Sequence, residues 1–402
     1  MCADANSEPA RRTSSLRHEP GLTRRALLAR AAGYGCLVAG LRDDLLAAQP
    51  SSDLPVVPRI NGGINVHPVR RLGEQDGLPV LGEPDDLPVI IPELVDLQLR
   101  AVYELGIQQI RTTVTFDAFG FGRSFLGAIP YVRAARALGI DVLGLIGNLD
   151  FGLDLPRALS NPELRPTVLQ VYLDVLNRKP LPVPGVDRVG EFTVQVLNEP
   201  THAFAIPPRQ YVQQFLRPVY ADLKTLAPDL IVVSAAPVGN RNGVLRAREM
   251  FRAGLERYCD RVAFHVYERE AIPYFAGLSS LPVWITESSV VGPGRHFDWA
   301  TRVYDEVHQM LGNVERIFYY DLFDLIPGQF RLFDLTVSET EGFRFQPESI
   351  ELLDHLARRV DVATEGRGHA PYDALIPDIT AYFPTAEDHR IIDSADLSQR
   401  SR

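Results

Sequence analysis

Residues 91–146 read IPELVDLQLRAVYELGIQQIRTTVTFDAFGFGRSFLGAIPYVRAARALGIDVLGLI, and the changes of period inside this stretch decide the fold. Over 91–105 apolar residues recur three and four apart, the spacing of an amphipathic helix, and Gly106 follows as the left-handed residue that ends it. Residues 109–115 then form a short β-rich run. Helical spacing returns over 131–138, Gly139 caps it, and 141–146 read as the next strand.

The same rhythm extends in both directions. Runs at 60–66, 192–197, 230–234, 261–266, 283–286 and 316–320 bring the strands to eight. Helical stretches at 166–176, 208–226, 243–258 and 297–311 lie between them, with a short one at 272–278. Strands that alternate with helices pair in parallel through right-handed crossovers, and eight such units predict an α/β protein of the closed (β/α)8, or TIM, barrel type in one domain. An open doubly wound sheet would put a Gly-rich phosphate loop after its first strand. Residues 60–67, INGGINVH, carry their glycines inside the strand and contain no G-x-G-x-x-G.

Composition agrees with a full-sized globular core: 402 residues, 46% hydrophobic and 23% charged. Disulfide miniproteins, collagen-like chains and wholly disordered chains are excluded. No run of eighteen uncharged apolar residues suggests a membrane span. The formal charge of −10 argues against a nucleic-acid partner, because phosphate binding needs clustered Lys and Arg.

The amino terminus reads as an address. Residues 1–22 are polar and rich in Arg, Ser and Pro, and they lead into Thr23-Arg24-Arg25-Ala26-Leu27-Leu28 and a mildly apolar run over 26–41. With small residues at Ala47-Ala48, residues 1–48 resemble a twin-arginine signal peptide; the competing reading is an amphipathic helix with chance Arg neighbours. Residues 49–58 form a Pro-rich linker, 59–360 the barrel, and 361–402 a tail that wraps the barrel or frays. The expected product is soluble and acidic, secreted or periplasmic, with no stable membrane insertion after cleavage. Cys2 and Cys36 fall in the leader, so Cys259 alone is left and the exported chain needs no disulfide.

Chemistry in such a barrel gathers at the carboxyl ends of the strands. The fourth ends Val196-Leu197-Asn198-Glu199-Pro200 and the seventh Trp284-Ile285-Thr286-Glu287-Ser288. Two carboxylates facing one another across the mouth suit double displacement at a glycosidic bond, where one acid protonates the departing oxygen and the other attacks the anomeric carbon. A helix-capping Glu199 and an exposed loop Glu287 are the plainer alternatives.

On Asn198-Glu199-Pro200, Thr286-Glu287, Phe264-His265-Val266-Tyr267 and Arg111, the chain from Ile60 to about Val360 resembles the clan A glycoside hydrolases. The resemblance implies Glu199 as general acid/base, Glu287 as nucleophile and Asn198 as donor to the sugar hydroxyl beside the reacting carbon. It also makes His265 and Tyr267 neighbours of both glutamates, with Tyr267 holding Glu287 and Arg111 supplying positive charge beneath it. His265 as a core histidine, and Arg111 as a structural ion-pair partner, are the alternatives for those two.

Asn148, Asn65 and His67 end strands and are candidate sugar contacts. The chain departs from the family pattern at Leu197, where many relatives carry Trp, and in strand eight, which lacks the Trp that often floors the sugar site. Tyr320 or Phe323 can supply that face. Trp284 alternates with Ile285 and Glu287 and is expected to point toward the helices, and Trp299 lies in a helix. Phe116, Phe119, Phe121 and Phe204 are the loop aromatics available to a cleft. The histidines at 67, 202, 265 and 296 show no metal-ligand spacing, so neither metal nor cofactor is expected. The two lysines, Lys179 and Lys224, lie off the strands, which removes Schiff-base chemistry. The chain thus reads as a secreted retaining glycosidase acting on an oligosaccharide or polysaccharide; the alternative is a non-catalytic barrel that only binds glycans.

Overall fold

The computed structural model describes residues 61–66, 72–75, 78–81, 92–104, 107–114, 123–147, 159–202, 206–289, 304–320, 333–334, 344–345 and 372–395. The expected signal peptide and linker, Asn148, His67, Trp299, Phe323 and the loop phenylalanines lie outside them.

Eight parallel strands form one sheet: β1 (Asn61–Val66), β2 (Gln109–Thr113), β3 (Asp141–Ile146), β4 (Phe192–Val196), β5 (Val232–Val233), β6 (Val262–Val266), β7 (Val283–Ser288) and β8 (Val314–Tyr319). They pair in the order β5-β4-β3-β2-β1-β8-β7-β6. A parallel bridge between Val233 and Arg261 joins the two ends, so the barrel is nearly closed. Between the strands run α1 (Pro92–Glu104), α2 (Arg123–Ala137), α3 (Arg165–Leu176), α4 (Arg217–Leu226), α5 (Arg241–Arg252), α6 (Ile272–Phe275) and α7 (Tyr304–Leu311). Among the described residues no helix is long and apolar enough to cross a membrane.

Two elements depart from the periodicity. An antiparallel hairpin, Leu72–Gln75 with Leu78–Leu81, is inserted between β1 and α1. Helix α2 starts at Arg123 and runs through Pro130. A proline inside a helix removes one i→i−4 hydrogen bond, which is why the sequence reads as a start there, whereas tertiary packing carries the helix past it.

The core has two layers. The larger lies between the strands and the helices, where Val66, Ile110, Val142, Val194 and Ile285 meet Val95, Ile129 and Leu169. The smaller fills the barrel with Leu143, Val233, Ala236, Ala263, Trp284 and Phe318. Gly63 in β1 belongs to this inner layer, since a Cβ there would stand 2.6 Å from the Phe318 ring. Below, Arg316 stacks 4.3 Å over Trp284 and reaches Asp141, which also pairs with Arg188 at 2.9 Å. The amino-terminal end is thereby plugged.

Trp284 therefore does not point toward the helices as its alternation with Glu287 suggested. The register explains the difference. Phe264 pairs with Ile285 but His265 pairs with Glu287, and on the other side Ile317 pairs with Ile285 but Tyr319 with Ser288. Strand β7 carries one extra residue, a β-bulge, so Trp284 and Thr286 face inward by alternation and Glu287 is turned inward as well.

Residues 372–395 dock on the outer helices. Tyr372 is buried with its hydroxyl donating to Asp96 at 3.1 Å, and the Arg100 guanidinium lies 4.8 Å over its ring while pairing with Asp373. Asp388 is fully buried between Arg133, at 2.5 and 2.8 Å, and Arg178, at 3.4 Å, and it closes a capping box with Thr385. Burial alone would raise its carboxyl, but the hydrogen bonds from Arg133 and Thr385 outweigh it and bring it down to about 2. A depressed carboxyl contributes stability above its unfolded pKa and loses it as pH falls through the folded value. We expect Asp388→Ala to cost about 3 kcal/mol at neutral pH by leaving Arg133 buried without its counter-charge. Urea unfolding midpoints should show this loss shrinking toward pH 2; a loss that does not change between pH 7 and pH 2 would refute the ion-pair origin.

Candidate active site

The mouth of the barrel is organised by one guanidinium. Arg111 on β2 is 3% exposed and cannot shed its charge, so its donors must be met inside. Nε donates to Gln195 Oε1 at 2.7 Å, Nη1 to Asn65 Oδ1 and to Glu287 Oε1, both at 2.7 Å, and Nη2 to Asn198 Oδ1 at 2.8 Å. One fork therefore ties β1, β2, β4 and β7 together. Three of its acceptors are neutral amides, and one is a carboxylate.

Glu287 is buried at the end of β7, aimed inward by the bulge. Tyr267, just past β6, donates its hydroxyl to Glu287 Oε2 at 2.6 Å, and His265 Nδ1 lies 3.5 Å from the same oxygen. Burial by itself would raise the Glu287 carboxyl, but the charges of His265 and Arg111 and the hydrogen bonds from Tyr267 and Arg111 hold it below its ordinary value. Burial next to that carboxylate pushes the Tyr267 phenol well up, so Tyr267 stays a donor. Each Glu287 oxygen accepts one strong hydrogen bond and keeps a lone pair.

Glu199 arrives by a different device. After β4 the backbone enters the left-handed region at Leu197 (φ 66°) and again at Glu199 (φ 40°). Such conformations in non-glycine residues cost of order 1–3 kcal/mol each and persist only where the surroundings impose them. Here Leu197 is fully buried, and its N–H donates to Ile146 at 3.0 Å. Tyr211 braces the preceding residue, donating its hydroxyl to the Val196 carbonyl at 2.9 Å and accepting from Ala235 N–H at 2.7 Å. It sits in a six-residue π-helical stretch, Tyr211–Leu216, and such insertions into helices gather at functional sites. The two left-handed residues turn Asn198 and Glu199 into the mouth.

His265 links the two acids. It is fully buried, and Nδ1 lies 2.8 Å from Glu199 Oε1. Nδ1–H donates that hydrogen bond to Glu199 Oε1, which leaves the other Glu199 oxygen to carry a proton. Nε2 is buried without a partner among the described residues. Gly239 packs directly against this strand end: its carbonyl accepts from Tyr267 and Glu268, and a Cβ would stand 2.8 Å from the Tyr267 nitrogen.

Ligand atoms of Glu199, His265 and Glu287 all lie within 4.8 Å of one another. They would be the candidates for a metal ion, but Arg111 and Tyr267 already engage Glu287 and His265 turns its Nδ1 to Glu199. The arrangement is better suited to moving a proton on one carboxylate beside a second that stays charged.

Of the residues singled out by sequence, Arg111, Asn198, Glu199, His265, Tyr267 and Glu287 converge on this centre. Tyr320 stands at its edge, its ring 6.3 Å from Tyr267 and nearly perpendicular. Asn65 is not a sugar contact: it is 1% exposed, its amide donates to the Thr286 and Tyr319 carbonyls at 3.1 Å, and its oxygen serves Arg111. Gln195, Tyr211 and Gly239 were not anticipated. Of these, only Gln195 left a trace in the sequence, as a polar residue facing into a barrel strand four residues before Glu199.

No family model matches the chain, and no curated protein matches it. Among solved structures, the chain is similar to the endo-1,4-β-mannanase from Rhizomucor miehei at 13% identity, with a TM-score of 0.51 over 78% of this chain and 99% of that one. It is also similar to the GH53 catalytic domain from Ignisphaera aggregans at 17% identity, with a TM-score of 0.48 over 78% of this chain and 98% of that one. The likeness to the mannanase is one of fold, an eight-stranded parallel barrel, as the resemblance to clan A glycoside hydrolases implied.

Proposed function

We propose that the chain is a retaining glycoside hydrolase that cleaves an O-glycosidic bond of an oligosaccharide or polysaccharide, with Glu287 as nucleophile and Glu199 as acid/base. The observation that carries the reading is the spacing of the two acids. One oxygen of the Glu199 carboxylate lies within 4.8 Å of one oxygen of Glu287. Retaining sites hold such a pair about 5–5.5 Å apart, whereas inverting sites leave about 6.5–9.5 Å for a water between them.

In the first step Glu199 gives its proton to the glycosidic oxygen while a lone pair of Glu287 bonds to the anomeric carbon, and the leaving sugar departs as an alcohol. In the second step Glu199, now ionised, takes a proton from water, whose oxygen displaces Glu287 from the sugar. His265 holds one oxygen of Glu199 and leaves the other for the leaving group. Asn198 spends its oxygen on Arg111, which presents its NH2 group to a hydroxyl of the bound sugar.

The test is turnover of aryl glycosides by Glu199→Ala. We expect kcat/KM for substrates with poor leaving groups to fall about a thousandfold, the range for loss of a general acid. Nitrophenyl glycosides, whose leaving group needs no proton, should lose far less. The acidic limb reports Glu287 and should lie below the ordinary glutamate value of about 4.3, because its carboxyl is held down. Equal losses for good and poor leaving groups would contradict the acid/base role, and inversion in the first product would contradict double displacement. Binding of glycans without turnover would favour the non-catalytic barrel.

A further inference from the structure

Gln195 lies beneath the site, fully buried inside the barrel, and its hydrogen bonds go to Arg111 and Thr286. Its amide oxygen accepts from Arg111 Nε at 2.7 Å, and its amide nitrogen faces Thr286 Oγ1 at 3.4 Å. It therefore joins β4, which carries Glu199, to β7, which carries Glu287, through the interior. With Nε pinned, the planar guanidinium has one orientation left, and in it Nη1 meets Glu287 while Nη2 meets Asn198.

We propose that Gln195 is a positioning residue for the reaction: its neutral amide sets the angle of the Arg111 fork and leaves the guanidinium's charge undivided for Glu287. The type of side chain matters as much as its reach. A carboxylate of the same length would make the same hydrogen bond to Nε but would share the positive charge. Among the described residues the other groups facing Glu287 are His265 on β6, Tyr267 just past it and Glu199 beyond the end of β4; His265 also lends Glu287 positive charge, but Arg111 is the fixed cation among them. The inference deepens the glycosidase reading and rests on it for its effect on turnover, but not for its effect on the titration of Glu287.

The experiment is Gln195→Glu in the full chain, with glutamates 13C-labelled at the side-chain carboxyl and the Glu287 resonance identified as the one lost in Glu287→Gln. We expect the Glu287 resonance to titrate about one pH unit higher than in the wild type, and the acidic limb of kcat/KM on an aryl glycoside to move with it. Gln195→Met, equal in length but without the acceptor, should lower kcat about tenfold and leave KM within about twofold, because the freed fork misdirects groups that act in the transition state. A folded Gln195→Glu whose Glu287 titration stays in place overturns the proposal, as does a Gln195→Met with unchanged kcat. A shifted titration in a protein whose wild type cleaves no glycoside would sink the glycosidase reading and leave the positioning role standing.

Discussion

Glu287→Ala should abolish turnover of aryl glycosides, by about four orders of magnitude or more, which is roughly 5 kcal/mol of lost barrier lowering. The size follows from the site. Glu287 is the carboxylate held ionised by Arg111, His265 and Tyr267, and among the described residues no second acid is placed to attack from its side of the sugar, since Glu199 faces it across the mouth. Alanine leaves a gap beside Arg111 that fits a small anion. Added azide should enter it, attack the anomeric carbon and restore turnover with a glycosyl azide of inverted configuration, while Glu199 remains to protonate the leaving group. Chromatography and NMR of the product read both results. Residual activity above one part in a hundred, or no rescue by azide in a folded variant that still binds the glycoside, would remove Glu287 as nucleophile.

The two glutamates were legible because each ends a strand that periodicity alone locates. Residues 192–197 and 283–286 announce β4 and β7, and the two glutamates follow within one or two positions. Gly139, left-handed at φ 78°, likewise marks the return into β3. What the sequence hides is anything that depends on a neighbour's register. Alternation from Trp284 assigns Glu287 to the wrong face relative to it, and only the pairing of β7 with both β6 and β8 reveals the extra residue that brings Thr286 and Glu287 inward together. The left-handed turn at Leu197 and Glu199 is hidden for a related reason. No glycine or asparagine marks either position, and the conformation is imposed by Tyr211 from a π-helical stretch and by the burial of Leu197. Asn65 reads as a mouth residue by position, yet its amide is consumed within the barrel. The same carboxyl-terminal rim thus holds groups aimed at a ligand and groups aimed at each other, and alternation cannot separate them.

The second large effect is on stability, and it holds whatever the ligand is. Arg111→Met removes the donors for four acceptors at once and leaves Glu287 buried with only His265 and Tyr267 to offset its charge. Breaking a buried pair on one side costs about 3–5 kcal/mol, and methionine matches the stem of arginine well enough that little of this is packing. The loss should depend on the charge state of Glu287. In the wild type its carboxyl is depressed, so its share of the stability is present above the unfolded value of about 4.3 and fades as pH falls through the lower folded value. Without Arg111 that carboxyl rises, and the variant should be relatively less impaired in acid than at pH 7. A double-mutant cycle isolates the pair: Glu287→Gln added to Arg111→Met should recover about half of the loss, because a neutral amide costs far less to bury than an ionised carboxylate, whereas Glu287→Gln alone should be destabilising. Additive losses in denaturant unfolding would mean that Arg111 stabilises the barrel through Asn65, Gln195 and Asn198 and not through Glu287. Coupling of the expected sign would mean that the charge which helps to keep Glu287 ionised is also part of what holds β1, β2, β4 and β7 together.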